Sequence, residues 1–569
     1  MKLFFRLWPF LLTSVPCFSQ VFPPADYPKG YFRDPLAIPI RLAANFGELR
    51  PNHYHMGLDI RTEKRENLPV YAAADGYVAK VKVEPQGFGQ AIYINHPNGY
   101  TTLYAHLNAF FPALAAYVEQ QQYKRESWKI FLDIPPGLFP VKKGTLIAYS
   151  GNTGGSQGPH LHFEIRRTSD DVNLNPLLFG LPVPDNTRPV IQRLAIYDGT
   201  RSMYEQSPRL IPVKRSPAGF ELAQPLVSTG STTVRFAIGA FDTQSGSANP
   251  NGIYQAVLYH NQQLVIGFRM NEVSYDDTRN INAHIDYKTR AGGGPYLQQL
   301  FALTSYGKSI YQPVNSNGVI DLSDGLVHEI RIEVRDANGN SSSLGFKIQH
   351  QPADTMIPAV EGKMFYPMML DGVETEDMAF YLAEKSLYDS VHIAYNKVPA
   401  IALGAVSAQF GIGNIGIPLG DEMLVRIRPD RELTPEQLDR VVMQRVAGDK
   451  TDLRKVQWQG GWASARFRDF GNFQLLLDNE PPVITPVGFH DGANLSAATR
   501  LVLTVKDNLE YYKNFRAELD GKWLRFSNDK ERAFIYKFDE HCPRGPHVLK
   551  VSVEDEAGNI ATRSFRFTR

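Results

Sequence analysis

The sequence has very little cysteine and almost no excess of charge. Of its 569 residues only two are cysteines, Cys17 and Cys542, and 60 basic residues are matched by 59 acidic ones for a net charge of +1. This balance gives no electrostatic basis for binding nucleic acid or an anionic membrane surface. Two cysteines allow at most one intramolecular disulfide, so a fold stapled by several disulfides is excluded.

Long apolar runs are also scarce, and the first lies at the amino terminus. Lys2 and Arg6 precede an apolar stretch over residues 7–15, which small or polar residues follow. This order predicts a secretory signal peptide over residues 1–20, and hence export to the periplasm or cell envelope. Pro16 stands where a lipoprotein signal has a small residue, which disfavours lipidation of Cys17. The mature chain would then keep one cysteine, Cys542, without a disulfide partner.

A second apolar run, AIALGAVSAQFGIGNIGIPLG, covers residues 400–420 without a charged residue. Its 21 positions would be long enough to span a bilayer. Gln409, Asn414 and five glycines argue against that, because polar and glycine-rich segments insert poorly. We therefore expect a pair of buried or half-buried strands and no stable membrane insertion.

Histidine is sparse in the chain but concentrated in one part of it. There are 14 histidines in all, and six fall within residues 53–162: His53, His55, His96, His106, His160 and His162. In the segment GPHLHFEIR, His160 and His162 are two residues apart. Because side chains alternate along a strand, both project to one face while Leu161 and Phe163 project to the opposite, core-facing side.

The segment HMGLD supplies further metal-binding side chains. A catalytic zinc site has three protein ligands drawn from His, Asp or Glu and keeps a fourth position for water. His55, Asp59 and His162 would satisfy that requirement. A straight strand would hold His55 and Asp59 roughly 13 Å apart, so the chain must bend between them, and Gly57 lies where the bend is needed.

The remaining histidines differ in their surroundings. His106 lies in TTLYAHL, whose alternation predicts a strand, and it is a candidate for a catalytic imidazole that does not bind the metal. His53 forms a second H-x-H pair with His55 and is an alternative ligand. His96 precedes a proline and an Asn-Gly pair, which indicates a loop. Glu164 shares the face of His162, and we expect it to be solvated or to support a ligand.

The segments FGELRPNHYHMGLDIRT, VYAAADGYVAKV, GFGQAIYINHPNGYTTLYAHLN and VKKGTLIAYSGNTGGSQGPHLHFEI resemble, in this order, the LytM/lysostaphin-type zinc metallopeptidases of peptidase family M23. The resemblance covers about residues 40–180. It implies that His55, Asp59 and His162 hold one Zn²⁺ per chain. It also implies that His106 and His160 are the two catalytic imidazoles beside the bound water. The sequence leaves open which of these two is the general base.

One segment departs from the family pattern. Residues 109–140 replace what is normally a short connection between His106 and VKKG. Phe111, Leu114 and Val118 have helical spacing, and an apolar extended run, WKIFLDI, follows. The insertion is either a decoration packed on its own domain or a wall over the substrate groove.

The rest of the chain contains an internal repeat. DNTRPVI at residues 185–191 recurs as DNEPPVI at 478–484, and HEIRIEVRDANGN at 328–340 recurs as HVLKVSVEDEAGN at 547–559. The alternation predicts strands followed by a D-x-x-G-N turn, and we favour turn chemistry over calcium binding for its aspartates. The units resemble bacterial Ig-like sandwich modules.

The predicted fold is therefore mostly β. A LytM-type antiparallel-sheet domain over residues 21–184, with a helical insertion at 109–140, precedes tandem β-sandwich modules. The modules are an Ig-like sandwich with an insertion at 185–350, a β-rich module of uncertain type at 351–477 and an Ig-like sandwich at 478–569. A protein partner could bind through the Ig-like modules.

The resemblance implies an exported zinc endopeptidase that cleaves peptide bonds of peptidoglycan. The alternative is a LytM-type domain without catalysis that activates a cell-wall amidase. Such domains lose ligands or catalytic histidines, whereas all five positions are filled here. A surface adhesin is a third interpretation, but the sequence offers no ligand site for one.

Overall fold

The computed structural model describes residues 22–23, 26–217, 219–303, 310–313, 316–352, 359–400 and 402–569. The predicted signal peptide and Cys17 lie outside these residues.

The amino-terminal region is an antiparallel sheet with one helix. Its strands are β1 Leu42–Ala44, β2 Leu49–Arg50, β3 His53–Tyr54, β4 Leu58–Arg61, β5 Pro69–Tyr71, β6 Gly76–Val83, β7 Gln90–Asn95, β8 Tyr100–Ala105, β9 Leu107–Phe110, β10 Ile130–Asp133, β11 Pro140–Val141, β12 Leu146–Ser150, β13 His160–Arg167 and β14 Asn173–Leu174. The main sheet has the order β1-β4-β13-β8-β7-β6-β10, and β5, β12 and β9 form a second sheet.

Strand β13 is the centre of this region. It pairs antiparallel with β4 on one side and with β8 on the other, which puts His162 opposite both Asp59 and Ala105. Leu161 and Phe163 are completely buried on the other face, as the alternation predicts. The hydrophobic face of the strand therefore fixes which way its histidines point.

The insertion contains the predicted helix, α1, which runs from Pro112 to Arg125. Proline is favoured in the first helical turn because its missing N–H would have no partner there. Leu114 and Val118 are buried in the core of the amino-terminal region, and the extended run after the helix becomes β10, which pairs with β6.

The next region carries strands β15 to β28. They are β15 Val190–Asp198, β16 Arg209–Ser216, β17 Gly219–Leu222, β18 Leu226–Thr229, β19 Thr233–Thr243, β20 Pro250–Asn251, β21 Gln255–His260, β22 Gln263–Arg269, β23 Glu272–Val273, β24 Gln298–Gln299, β25 Tyr311–Pro313, β26 Ile320–Asp321, β27 Val327–Arg335 and β28 Ser341–His350. Two short helices, α2 Ile281–His284 and α3 Tyr287–Ala291, follow β23.

This region is joined to the amino-terminal one by backbone pairing. Strand β23 pairs antiparallel with β14, with Leu174 opposite Glu272. The repeat prediction is confirmed in β27, where Ile332 and Val334 are buried between exposed or half-buried neighbours.

The third region has two five-stranded sheets around one core. Its strands are β29 Lys363–Phe365, β30 Asp371–Glu374, β31 Met378–Leu382, β32 Val391–Ile393, β33 Tyr395–Val398, β34 Gln409–Ile412, β35 Pro418–Ile427, β36 Val441–Ala447, β37 Lys450–Lys455, β38 Gln457–Gln459, β39 Trp462–Asp469 and β40 Gly471–Leu477. One turn of helix, α4, spans Pro435–Leu438.

The apolar run at residues 400–420 forms strands only in its second half, in β34 and the start of β35. Both strands are buried or half-buried, as predicted, whereas Leu403 in the first half is 97% exposed. The longest helix that the structure describes, α1, has 14 residues, and no helix in the described part of the chain combines the length and apolar character of a membrane span.

The last region packs a three-stranded sheet against a five-stranded one. The strands are β41 Val483–Pro486, β42 Ala493–Asn494, β43 Arg500–Lys506, β44 Tyr512–Leu519, β45 Lys522–Trp523, β46 Phe534–Lys537, β47 Pro546–Asp555 and β48 Ile560–Thr568. Leu549 and Val551 are buried as the repeat predicts, and Cys542 is buried and unpaired. The fold is mostly β, as predicted, while the Ig-like class of the two repeat modules stays a prediction.

Candidate metal centre

Three of the predicted residues converge on one point. His55 lies between β3 and β4, Asp59 within β4, and His162 within β13. Asp59 Oδ1 is 3.0 Å from His55 Nε2 and 2.8 Å from His162 Nδ1, and these two nitrogens are 3.1 Å apart. All three side chains are buried, so the sheet encloses a compact set of two nitrogen atoms and one oxygen atom.

The far nitrogen of each ligand histidine has its own partner. His55 Nδ1 lies 2.7 Å from the carbonyl of Asn45, and His162 Nε2 lies 2.8 Å from Glu164 Oε1. Both partners are acceptors, so these far nitrogens carry the hydrogen. The near nitrogens of the neutral rings then present lone pairs to each other and to the Asp59 carboxylate.

This arrangement fits a bound zinc ion. Three acceptor atoms that face one point repel each other unless a cation or a proton lies between them. With zinc–ligand distances of about 2.0–2.1 Å, tetrahedral ligands lie roughly 3.3 Å apart, close to the separations found here. The donor set of two imidazoles and one carboxylate is also one that zinc accepts in catalytic sites.

Hydrogen bonds and charge shift the pKa values of this cluster. Burial alone would disfavour the charged form of His162, but hydrogen bonds to Asp59 and Glu164 raise its pKa to about 9. Burial would likewise raise the pKa of Asp59, yet the surrounding histidines hold it well below its usual range. Burial lowers the pKa of His55. Without metal, a proton on His162 would therefore take the place of the cation.

Glu164 is completely buried, which excludes the solvated role that the sequence left open. Its Oε2 accepts hydrogen bonds from Arg166 at 2.7 Å and from Asn173 at 2.7 Å. Burial would raise the pKa of Glu164, but the Arg166 guanidinium and the His162 hydrogen bond lower it to about 2. Glu164 is therefore a fixed anion that holds the His162 ring in place.

The fourth partner of Glu164 could not be found from the sequence. Tyr275, which follows β23 in the next region, donates its hydroxyl to Glu164 Oε1 at 2.8 Å. Its ring lies 4.9 Å from the Arg166 guanidinium, within the range of a cation–π contact. The 111 positions between Tyr275 and Glu164 leave no local pattern that would join them.

Gly57 lies in a bend, as predicted, and it is also required for a second reason. Its φ is not left-handed, but a Cβ there would lie 2.5 Å from the Phe163 carbonyl oxygen and 3.1 Å from His162 Nε2. Glycine therefore allows the segment to approach β13 closely, which brings His55 and Asp59 to one point.

His106 and His160 lie beside the three ligand candidates. Their ring centroids are 4.7 Å apart, and His106 is 5.8 Å from the ring of His162. Each places Nδ1 2.8 Å from a carbonyl, that of Thr153 for His106 and that of Gly158 for His160. His160 Nε2 is buried, has no hydrogen bond in the described structure and lies 3.4 Å from Asp59 Oδ1.

His106 also has an unusual backbone. It separates β8 from β9 with a φ of 60°, a left-handed conformation that residues other than glycine adopt rarely. Its N–H donates to the Phe88 carbonyl at 3.0 Å, which holds the turn. Burial and the neighbouring His160 lower the pKa of His106 to about 3, so its ring is neutral at neutral pH.

Two other histidines lie outside the cluster. His53 is exposed, and its Nδ1 is 2.8 Å from the Pro51 carbonyl. His96 bridges the Asp75 carbonyl and the Thr102 hydroxyl at 2.8 Å each, in a turn after β7. Neither belongs to the group of residues that could share an ion with Asp59.

The last region reaches the rim of this centre through one loop. Asp529 Oδ1 accepts a hydrogen bond from Gly154 N at 2.8 Å. Lys530 Nζ bonds to the Ser156 carbonyl and lies 3.1 Å from Asn152 Oδ1. The segment that is contacted supplies the carbonyl partners of His106 and His160, so the loop lies next to these two histidines.

The inserted helix α1 supports this loop. Tyr123 stacks on His541 with centroids 3.9 Å apart, and Glu119 pairs with Arg525 at 2.7 Å. On its other face the helix packs on its own domain, where Tyr117 contacts Phe139. Neither interpretation of the insertion predicts this contact with the last region.

Two protein families match parts of the chain. Residues 53–123 and 139–176 match the model of Peptidase family M23, with a break inside the insertion, and residues 364–478 match that of the Zu5-like domain.

Named relatives match just over a quarter of the chain. The DD-carboxypeptidase/endopeptidase Mpg of Neisseria meningitidis serogroup B is 33% identical over 165 residues, 28% of this chain and 32% of the relative. A metalloprotease of Haemophilus influenzae, described as uncharacterized, is 34% identical over 163 residues, 27% and 28% of the two chains.

Among solved structures, the catalytic domain of the prophage-encoded M23 protein EnpA from Enterococcus faecalis is 20% identical with a TM-score of 0.20, over 26% of this chain and 99% of that one. The chain spans about a third of the length of the curated relatives that it matches. Residues 53–176 of this chain form a peptidase family M23 domain.

Proposed function

We propose that this protein is an exported zinc endopeptidase that hydrolyses peptide bonds of peptidoglycan in the periplasm or cell envelope. The observation that carries the proposal is the convergence of His55, Asp59 and His162, with His106 and His160 beside them. These are the five residues that the family resemblance assigns to metal binding and catalysis. We assign one Zn²⁺ to the first three.

A bound zinc ion would polarise the scissile carbonyl and lower the pKa of a water molecule towards 7. The chain supplies the groups that move the proton. His106 and His160 each direct Nδ1 to a backbone carbonyl, which leaves Nε2 as the basic nitrogen. One ring would accept the proton from water, and the other would stabilise the oxyanion or protonate the leaving amine.

The fixed tautomers matter for this chemistry. A neutral imidazole whose Nδ1–H is held by a carbonyl cannot rotate its acceptor nitrogen away from the site. The low pKa of His106 keeps that ring neutral across the neutral range. Solvent need not reorganise around these groups during the reaction.

The substrate class rests on the relatives. The Mpg protein is named a DD-carboxypeptidase/endopeptidase, and ShyC of Vibrio cholerae, 29% identical over 160 residues, is named a peptidoglycan DD-endopeptidase. Their matches cover only 28% and 27% of this chain. We therefore propose peptidoglycan peptides as the substrate class and leave the individual bond to experiment.

The test is digestion of purified peptidoglycan by the zinc-loaded protein, with mass spectrometry of the released fragments. We expect new amino termini within peptide crosslinks. His162→Ala should lose both zinc and hydrolysis, whereas His106→Ala should retain zinc and lose on the order of 10²-fold or more in rate. His53→Ala is the matched control, because His53 is exposed and lies outside the cluster.

The activator alternative makes the opposite prediction. A non-catalytic domain would release no fragments alone, would stimulate a cell-wall amidase, and would be insensitive to His106→Ala. Stoichiometric zinc in the His162→Ala variant, measured by elemental analysis, would contradict the ligand assignment.

A further inference from the structure

The two repeat modules each contain a cluster of three aspartates. In each cluster one carboxylate oxygen from each aspartate lies within 4.8 Å of one from both others. The first cluster is Asp185, Asp242 and Asp336, and the second is Asp478, Asp507 and Asp555. Asp185 and Asp478 open the repeated DN-x-x-PVI segments, and Asp336 and Asp555 open the repeated D-x-x-G-N turns.

The turn aspartates have the structural role that the sequence predicts. Asp336 Oδ1 accepts hydrogen bonds from the backbone N–H groups of Asn338 and Asn340, at 2.9 and 2.8 Å. Asp555 Oδ1 accepts likewise from Gly558 and Asn559, at 2.7 and 2.8 Å. Asp185, Asp478 and Asp507 each accept a turn N–H as well. Turn chemistry does not explain why three carboxylates meet at each of these turns.

The additional aspartates carry oxygen atoms without partners. Asp242 is 5% exposed and Asp478 is 3% exposed, yet Asp242 Oδ1 and Asp478 Oδ2 have no hydrogen bond in the described structure. Asp507 Oδ1 is also buried and without a partner there. A buried carboxylate oxygen that lacks a donor is costly, because it has lost its water and gained nothing in return.

Repulsion between the carboxylates of each cluster adds to this free-energy cost. Burial and the nearby Asp336 and Asp185 raise the pKa of Asp242 to about 7. Burial raises that of Asp507 to about 6, with Asp478 and Asp555 contributing. Three carboxylates brought this close therefore need a proton or a cation between them, and this holds in both modules.

We propose that each aspartate cluster binds one hard divalent cation, and that Ca²⁺ is the ion it suits. The ligands are all oxygen, with no histidine or cysteine to favour a transition metal. Ca²⁺–oxygen distances of about 2.3–2.6 Å place oxygens on opposite sides of the ion roughly 4.8 Å apart, so three oxygens within that distance fit around one ion. Water and backbone carbonyls would complete its shell of 6–8 oxygens.

The clusters lie where the chain enters each module. Asn340 Nδ2 donates to the Asp185 carbonyl at 3.2 Å, and Asn559 Nδ2 donates to the Asp478 carbonyl at 3.0 Å. An ion in either cluster would tie the entering segment to strand ends of the module. Calcium would therefore set the stability of each module at its junction with the preceding region.

The test uses the full-length, zinc-loaded protein. Calorimetric titration with Ca²⁺ should find two sites per chain, and Ca²⁺ should raise the unfolding temperature. Asp242→Asn should remove the first site and Asp507→Asn the second, so that each variant keeps one Ca²⁺ site per chain. Asn has nearly the shape of Asp, and zinc content together with circular dichroism reports whether each variant is folded.

The control variant is Asp449→Asn, which removes an exposed carboxylate outside both clusters and should keep two sites. Mg²⁺ in place of Ca²⁺ should bind more weakly, because Mg²⁺ demands a near-ideal octahedral shell at about 2.1 Å and gives up its water reluctantly. Binding that neither Asp242→Asn nor Asp507→Asn reduces would overturn the proposal, as would no effect of Ca²⁺ on unfolding. His162→Ala should retain both sites, which separates this result from the zinc assignment.

Discussion

The two repeat modules contact the peptidase domain in different ways. The first, residues 185–350, extends its sheet through the β14–β23 pairing and places Tyr275 on Glu164. Tyr54 and Met56, on either side of the candidate ligand His55, belong to the hydrophobic core of this module. The last, residues 478–569, contacts the domain through loop residues and ion pairs with solvent access, such as Arg525 with Glu119.

The difference gives the two modules different roles: the first supports the candidate metal centre, and the last affects access to it. Buried backbone pairing and shared core contacts are lost only when the fold unfolds. The first module therefore stabilises the candidate metal centre. Exposed ion pairs contribute about 0–1 kcal/mol each and weaken with salt. The last module can therefore leave the rim without unfolding the domain.

Among the tests of the buried contacts with the first module, Glu164→Gln has the largest expected effect. The change leaves Arg166 without its buried counter-charge and weakens the hold on His162. We expect a loss of about 3–5 kcal/mol in the free energy of unfolding and a 10–100-fold loss in zinc affinity. Urea unfolding and chelator competition measure the two effects.

Glu272→Gln is its control, because Glu272 pairs with Arg167 in the same junction but is exposed. It should cost less than about 1 kcal/mol. Equal effects of the two variants would remove the distinction between buried and exposed contacts.

A second test uses pH on the first module. Burial lowers the pKa of His284 to about 3, whereas an unfolded histidine titrates near 6.5. Between these values the unfolded chain binds the extra proton, so this stabilisation is complete above pH 6.5 and is lost as the pH falls. We expect His284→Gln to reduce the slope of unfolding free energy against pH by up to about 1.4 kcal/mol per unit in that window.

His490→Gln in the last module is the matched change, since His490 is exposed. Unfolding midpoints in urea at several pH values between 4 and 7 compare the two variants. If the slope in His284→Gln equals that of wild type, His284 does not stay neutral in the folded module.

A smaller effect is expected from Tyr275→Phe, which removes only the hydroxyl on Glu164. Tyr275 is 41% exposed, so we expect a loss of about 1 kcal/mol in the free energy of unfolding and a zinc affinity lowered roughly tenfold. Tyr366→Phe changes an exposed tyrosine elsewhere and should alter neither quantity. An unchanged zinc affinity in Tyr275→Phe would show that the module does not support the metal centre through this bond.

The smallest change in stability is expected at the last module. Arg525→Glu reverses the charge opposite Glu119 and should cost less than about 1 kcal/mol. It should nevertheless raise the rate on polymeric peptidoglycan, because the loop with Lys530 would leave the rim, while zinc content stays unchanged.

The paired variant Glu119→Arg with Arg525→Glu should restore the wild-type rate. High salt should reproduce the effect of the single change in wild type. A rate that neither the reversal nor salt alters would mean that the docked module does not limit access.

The sequence predicted the parts of this structure that depend on local periodicity. The alternation around His160 and His162 gave the face of β13, and the spacing of Leu114 and Val118 gave helix α1. It could not give contacts made by distant segments. Tyr275 carries no motif, and nothing local distinguishes it from other tyrosines.

The same limit applies to close contacts around the site. The bend at Gly57 was predicted, but the close approach of β13, which leaves no room for a Cβ there, is a tertiary contact that no local pattern gives. Asp242 and Asp507 lie outside the repeated motifs, so the aspartate clusters emerged only once the strands were placed. The assignment of roles to His55, Asp59, His106, His160 and His162 stays a prediction until the variants are measured.

The β14–β23 pairing has a practical consequence for any fragment of this protein. A peptidase domain cut at residue 184, where the sequence suggests a boundary, would leave β14 as an open edge and uncover Tyr54 and Met56. Unpaired edges beside apolar surface promote association between chains. Such a fragment should aggregate or lose metal, and a soluble minimal enzyme must extend at least beyond Tyr275.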